Sequence, residues 1–445
     1  MVAPYSEREA GADSALASRS SSPERLLRIA REYDRKGHLA ETAAAYEAAI
    51  DVAAVAGNQR LVAEGLRRLA VVRCRRQETD AARVLCARSE AVARESGDDD
   101  LVAEALNTAG GLDLLDERFE EARALFLEAA ALARDPDLLG RIEQNLGTVA
   151  GTQADYPQAL DSYQRSLAGF LTARNEQGCA VAHHNLGAIN VELRRWTEAD
   201  RHLRLCLQAV HLTGDLHLRG QAVMNHAEAL VGLGRLREAR VAAETATSIF
   251  DELHAPRELA DAYRVLGSVL RRSGELAAAQ TRLRLAIEVA STSRCALSEA
   301  EASRELALVL AALGRKSEAA AMMGRAAAEL ERLQPAGPAA SALAEDYPAS
   351  VRAWSDLLEV LEPESEPDRA RLAGRAVAVA RQLNCDEAAQ ARVRAAAYLH
   401  GLEPAWIVDE ALPWDVGAIL QELHGEVPTL ETRILAQVHA PTFEA

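Results

Sequence analysis

Small side chains recur in this chain with a period near 40, in three columns that keep one phase. Thr42, Ala82, Ala122, Ala159, Ala199, Ala239, Ala279 and Ala319 are separated by 40, 40, 37, 40, 40, 40 and 40 residues. Twelve residues before them lie Ala30, Ala70, Gly110, Gly147, Gly187, Ala227, Gly267 and Ala307; seven after lie Ala49, Ser89, Ala129, Ser166, Cys206, Ala246, Ala286 and Ala326. Small residues at fixed spacing let helices approach closely, and a repeat of this length is one helical hairpin that buries its apolar face only against its neighbours. The spacing predicts an all-α solenoid of eight hairpins over residues 23–333, with about 16 residues and about 24 Å in each helix. Arrays of this kind commonly bind other proteins.

Punctuation agrees with the period. Gly37, Gly234, Gly274 and Gly314 stand at the turns inside units, where glycine is free to adopt positive φ at a helix C-terminus. The single 37-residue step falls between Ala129 and Gly147, and Asp135-Pro136-Asp137 reads as a shortened loop between units. Residues 1–22 include Ser14, Ser18, Ser20, Ser21 and Ser22, show little periodicity and read as a disordered leader, closed by Ser22-Pro23 as N-cap and first helical residue.

Aromatic residues are only 4% of the chain, which suits close-packed helices better than sheets. A net charge of −17 repels nucleic-acid phosphates and anionic lipid, and no run of about 18 apolar residues or signal-peptide core is present, so the expectation is a cytoplasmic protein with no nucleic-acid or membrane partner. The six cysteines are scattered, with no CxxC pair, and read as reduced packing residues. No GxxxxGK[ST], GxSxG or HExxH motif occurs; no catalytic residue, cofactor or metal is expected.

Asn145-Leu146-Gly147 with Asp155-Tyr156-Pro157-Gln158-Ala159-Leu160 and Tyr163 resembles the tetratricopeptide repeat family. So do Asn185-Leu186-Gly187 with Arg195-Trp196-Thr197-Glu198-Ala199, and Leu266-Gly267 with Gly274 to Ala279. The family's commonest unit is shorter, and a repeat near 40 looks more like kinesin light chain and bacterial peptide-sensing regulators. The resemblance implies that the first helix of each hairpin lines a concave groove. Asn145, Asn185 and Asn225 then share one groove column, with Asn107, Gln144, His184, Met224, Arg264 and Arg304 beside it and Arg141 and Gln221 one turn earlier. Each asparagine offers amide donors and a carbonyl acceptor that match the alternating groups of an extended backbone. The arginines suggest a ligand that is acidic at one end. The lysines of a chaperone-type carboxylate clamp have no counterparts here. His183 and His184 are adjacent, point about 100° apart on a helix and cannot chelate one ion together. Trp196 falls in the turn column beside Phe119 and Tyr156 and reads as packing between hairpins.

After Leu333 the text changes. Gln334-Pro335-Ala336-Gly337-Pro338 opens a linker over 334–348, and a helical module follows over 349–445, with helices expected near 349–361, 368–383, 387–401, 413–424 and 429–438. Arg371 to Leu383, Arg394 to His400, and Gly425-Glu426-Val427-Pro428 with Arg433 to Ala436 resemble the HD-GYP subgroup of HD phosphohydrolases. The family's metal ligands do not carry over: its leading histidine falls on Asp368, its HD dyad on His400-Gly401 and a later aspartate on His439. Only 23 residues separate His400 from His424, too few for the family's intervening motifs. The resemblance therefore implies a truncated, inactive module that serves as an interaction or homodimer surface. Three functions are in view: a non-enzymatic scaffold or adaptor in bacterial signalling that binds an extended protein or peptide segment in the groove; a peptide-sensing regulator whose ligand alters the superhelix; and, on the weakest chemistry, a cyclic-dinucleotide phosphodiesterase.

Overall fold

The computed structural model describes residues 22–333, 349–361, 366–382, 385 and 387–399. Residues 1–21 of the expected leader, the linker and residues 400–445 lie outside the described residues, and with them His400, Gly401, His424, His439, the Gly425 to Pro428 stretch and the expected helices at 413–424 and 429–438. Two compact units divide the chain, Met1–Asp215 and Leu216–Ala445.

Five hairpins make up the described part of the first unit: α1 (Pro23–Arg35) with α2 (Leu39–Val55), α3 (Gln59–Arg75) with α4 (Thr79–Ser96), α5 (Asp99–Leu115) with α6 (Phe119–Leu132), α7 (Pro136–Thr152) with α8 (Tyr156–Thr172), and α9 (Glu176–Glu192) with α10 (Trp196–Thr213). The second unit adds α11 (Leu216–Gly232) with α12 (Leu236–Glu252), α13 (Pro256–Arg272) with α14 (Leu276–Thr292), and α15 (Ala296–Ala312) with α16 (Lys316–Leu333). Three helices follow: α17 (Ala349–Leu361), α18 (Glu366–Gln382) and α19 (Glu387–Tyr398). No strand occurs among the described residues.

The small columns hold the helices together. Every member of the Thr42 to Ala319 column has 0% exposure. A Cβ added to Gly110 would lie 2.7 Å from the Phe126 ring, one on Gly147 2.6 Å from the Tyr163 ring, and ones on Gly187 and Gly267 2.5 Å from Leu203 and Leu283. Glycine in the first helix is thus matched by a bulky residue at one fixed register in the second, as close-packed interiors require. Burying a phenylalanine such as Phe126, Phe170 or Phe250 contributes about 1.5–3 kcal/mol over leaving it in water. Side chains of Ser22, Asn58, Asp98, Asp135, Asp155 and Asn175 cap helix N-termini by accepting from backbone N–H groups.

All eight hairpin turns place one residue at positive φ in the same register: Gly37, Gln77, Glu117, Ala154, Arg194, Gly234, Gly274 and Gly314. The sequence marks only the four glycines; the turn geometry is imposed on the other four by helix packing on either side. The 37-residue step also differs from expectation. The connection Ala133 to Asp135 is as long as its equivalents, and the missing residues come from α6, which has 14 residues where α2 and α8 have 17. Ala133 is extended, at φ −62° and ψ 129°, and Pro136 begins the next helix, so the chain leaves α6 one turn early.

Within each unit the first helices of neighbouring hairpins touch one another, whereas the second helices make no comparable contact. Each unit therefore curves with its first helices on the inner wall. Helix α17 packs on α15 and α16 as α15 packs on α13 and α14. Its Trp354 is 1% exposed, in an apolar cluster that runs from Ala227 to Leu399. This helix is packed as a ninth first helix on the solenoid's end.

Candidate functional site

The inner wall carries the sequence-predicted groove residues. Asn107, Arg141, Gln144, Asn145, His184, Asn185, Gln221, Asn225, Arg264 and Arg304 all lie on first helices and all are half-buried, neither sealed in helix contacts nor standing free in water. Their register explains this: they lie two, three or six residues before the small column, flanking the leucines and alanines that enter the core.

In the first unit the structure brings several of them together. Asn145 Nδ2 donates to Asn107 Oδ1 at 2.9 Å, which joins α7 to α5. The pair uses one amide hydrogen and leaves the second, together with the Asn145 carbonyl, in the half-buried wall. His184 Nδ1 and Asn185 Oδ1 are 3.2 Å apart on α9. Arg141 Nη2 lies 3.3 Å from Glu104 Oε1 and its Nε 3.2 Å from Asp137 Oδ2. Glu104 also receives Arg67 at 2.8 Å, and Asn175 Nδ2 donates to Asp137 at 2.5 Å. Arg31 on α1 reaches Glu64 on α3 at 2.5 Å. Consecutive first helices are therefore joined across the wall by polar staples.

The second unit's wall is more strongly charged. Arg264 Nη2 lies 3.1 Å from Glu228 on α11, and its Nε 3.3 Å from Glu301 on α15. Burial opposes the Arg264 charge, yet the carboxylates of Glu301, Glu228 and Asp261 outweigh that and hold its pKa above the usual value. Glu305, buried, sits 3.3 Å from Arg271 and 3.4 Å from Arg304. Burial pushes its carboxyl pKa up, and Arg271, Arg304 and Arg264 bring it below normal. Arg304 Nη1 reaches Asp356 on α17 at 3.0 Å. Asp261, half-buried among these groups, is raised by desolvation. The positive charge that suggested an acidic ligand end is thus met by carboxylates of the wall itself. Sequence reasoning singled out the arginines and missed their partners, although Glu64, Glu104, Asp261 and Glu301 share one register, six residues before the small column.

His183 does not share a partner with His184. It faces His202 on α10, with the two Nδ1 atoms 3.1 Å apart and ring centroids 5.3 Å apart. Burial, the neighbouring His202 and Arg201 lower the His183 pKa to about 4, and burial also lowers His202. All six cysteines are free, and burial pushes the Cys86 and Cys206 thiols up to about 12, too high for nucleophiles at neutral pH. No three or more His, Cys, Asp or Glu side chains are grouped to hold a metal ion among the described residues. No helix among them is long and apolar enough to cross a membrane.

Comparison with known proteins bears on the fold. A family profile described as tetratricopeptide repeat matches residues 61–135. No curated protein sequence matches the chain. Among solved structures, a Rap protein complexed with Competence and Sporulation Factor is similar with a TM-score of 0.53 and 12% identity, over 85% of this chain and 99% of that one. A signal transduction ATPase with numerous domains from Pyrococcus horikoshii, which carries a tetratricopeptide repeat sensor, gives 0.52 and 16% over 70% of this chain and 52% of that one.

Proposed function

We propose that this chain, whose fold is an all-α solenoid of the tetratricopeptide type, is a non-enzymatic scaffold that holds an extended segment of another polypeptide against its first helices. The observation that carries this reading is the register of the inner wall. In the first unit the position three residues before the small column holds Arg67, Asn107, Gln144 and His184, all half-buried on successive first helices, with Asn145 and Asn185 beside them; in the second unit Arg264 and Arg304 hold the same position. Packed helices lie about 8–10 Å apart, and an extended chain advances about 3.3 Å per residue. A segment laid across the wall therefore presents one backbone N–H and C=O set to each helix about every third residue. Asn145 and Asn185 in the first unit, and Asn225 in the second unit taken by itself, can each bind such a set in both directions, donating and accepting. This holds a backbone without demanding particular side chains.

A second reading, a peptide-sensing regulator, is favoured by the staples between first helices. Asn107 with Asn145 and Arg264 with Glu228 and Glu301 cross between hairpins at the surface a ligand would touch. A segment that exchanges these bonds for its own would alter the spacing of hairpins, and the change would be felt where the array meets a partner. The Rap protein solved with its factor supports a ligand-holding role for this fold.

Residues 349–445 serve in this proposal as the output surface, for a signalling partner or a second copy, within the cytoplasm. Asp368 and Gly401 occupy positions where the HD-GYP pattern needs metal ligands, so no phosphodiester hydrolysis is assigned to this module.

Panning the full chain against a displayed library of random 12-residue peptides, a length of about four first helices by the spacing above, tests the proposal. Enriched peptides that compete with one another and protect amides of α5, α7 and α9 from hydrogen exchange are expected. Failure to enrich any peptide, or protection confined to the second helices, would overturn it.

A further inference from the structure

We propose that His183 and His202 form a two-imidazole chelate for a borderline divalent transition cation, Zn2+ or Ni2+ by class, at the face between α9 and α10. The separation of their Nδ1 atoms is 3.1 Å. Two nitrogens bound to one zinc at about 2.05 Å and separated by this distance subtend about 100° at the metal; with ring centroids 5.3 Å apart the imidazoles stand nearly end to end, so metal entry also turns each ring by roughly 20° to bring its lone pair onto the ion. The donors sit on two helices of one hairpin, so packing holds the bite rather than a mobile loop. Leu203, next to His202, is fully buried against the Gly187 face, which anchors the α10 side.

The environment suits a neutral donor pair. Both rings are half-buried, and both favour the uncharged imidazole, the form that ligates. Arg201 adds positive charge to both rings and Glu198 offsets it at His202. Without metal, one Nδ1–H donates to the other Nδ1. Metal entry replaces that hydrogen bond with two N–metal bonds, while the proton of the donating ring moves to its own Nε2; no net proton is released. Imidazole is the preferred ligand for zinc and nickel over magnesium or calcium, which take oxygen. No third protein ligand joins the pair among the described residues, so water completes the coordination and the ion exchanges readily. The site is separate from the groove residues: His184, one residue on, turns toward Asn185.

Calorimetric titration of the untagged full chain with ZnCl2 and NiSO4 at pH 7.5 tests this. One ion per chain is expected, weakened at least tenfold in both His183→Ala and His202→Gln and unchanged in His184→Ala. His202→Cys, which replaces one zinc ligand by another, should retain Zn2+, an outcome a purely structural histidine would not give; circular dichroism confirms that each variant is folded. Absence of binding to the wild-type chain up to millimolar metal would overturn the proposal, as would equal loss in His184→Ala or failure of a folded His202→Cys chain to bind zinc.

Discussion

Gly110 and Gly111 are neighbours in α5 with opposite surroundings. A methyl group on Gly110 meets the Phe126 ring at 2.7 Å, whereas one on Gly111 meets nothing within 4 Å. Helix propensity alone favours alanine over glycine by about 1 kcal/mol. At Gly111 that gain is uncompensated, so Gly111→Ala should raise the urea midpoint. At Gly110 overpacking of about 1–3 kcal/mol opposes it, so Gly110→Ala should lower the midpoint. Equal signs for the two variants would remove size matching from the account. The turn register yields a second expectation. Ala154, at φ 59°, occupies the position that Gly234 holds at 73°, so Ala154→Gly should stabilise by about 0.5–1 kcal/mol despite glycine's greater freedom when unfolded. The small columns were readable in the sequence because packing distance restricts size at a fixed spacing. Gln77, Glu117, Ala154 and Arg194 were not readable as positive-φ residues, since nothing in their side chains requires that conformation.

Among elements, the shortened α6 and the charged staples separate what pattern can tell from what it cannot. The three-residue deletion was visible as a phase shift. Its location in the helix rather than the loop depends on the extended Ala133 and on Pro136 starting α7, which are backbone facts. Asp113, at the end of α5, is 5% exposed and accepts from Arg83 on α4 and from Arg118 in the turn to α6. Asp113→Ala removes this junction and should cost about 1–3 kcal/mol in chemical denaturation; a loss of a few tenths would show that the arginines are served by Asp116 alone. The hairpin α9–α10 should also respond to acid. Its His183 pKa is lowered to about 4, below the unfolded value of about 6.5. The unfolded chain then binds more protons between these values, so the contribution is intact above about pH 6.5 and declines as pH falls toward 4. Denaturation midpoints at pH 7 and pH 5 should differ less in His183→Asn than in the wild-type chain. Arg201 and Glu198 are present in both and cancel in the comparison. An identical pH slope in the variant would contradict this.

For the molecule as a whole, the repeat made the fold class available from sequence, because a stacked array has few ways to bury small residues at one period; which helix faces inward came only from the resemblance to the tetratricopeptide family. The inner wall was only partly available. Its amide column could be placed by register, but the pairing of Asn145 with Asn107 and the neutralisation of Arg264 and Arg304 depend on which rotamers meet between helices 36 to 52 residues apart in the chain. Those pairings change the ligand expected: an extended backbone gripped by amides is favoured over an acidic tail. The central claim is that these amides hold a polypeptide. It is tested most directly by the anisotropy-measured affinity of a panned, fluorescently labelled peptide for the wild-type chain and for Asn145→Ala/Asn185→Ala/Asn225→Ala at unchanged helicity. Three lost hydrogen bonds at about 0.5–1.5 kcal/mol each predict at least about tenfold weaker binding. An unaltered dissociation constant in the triple variant would contradict the account.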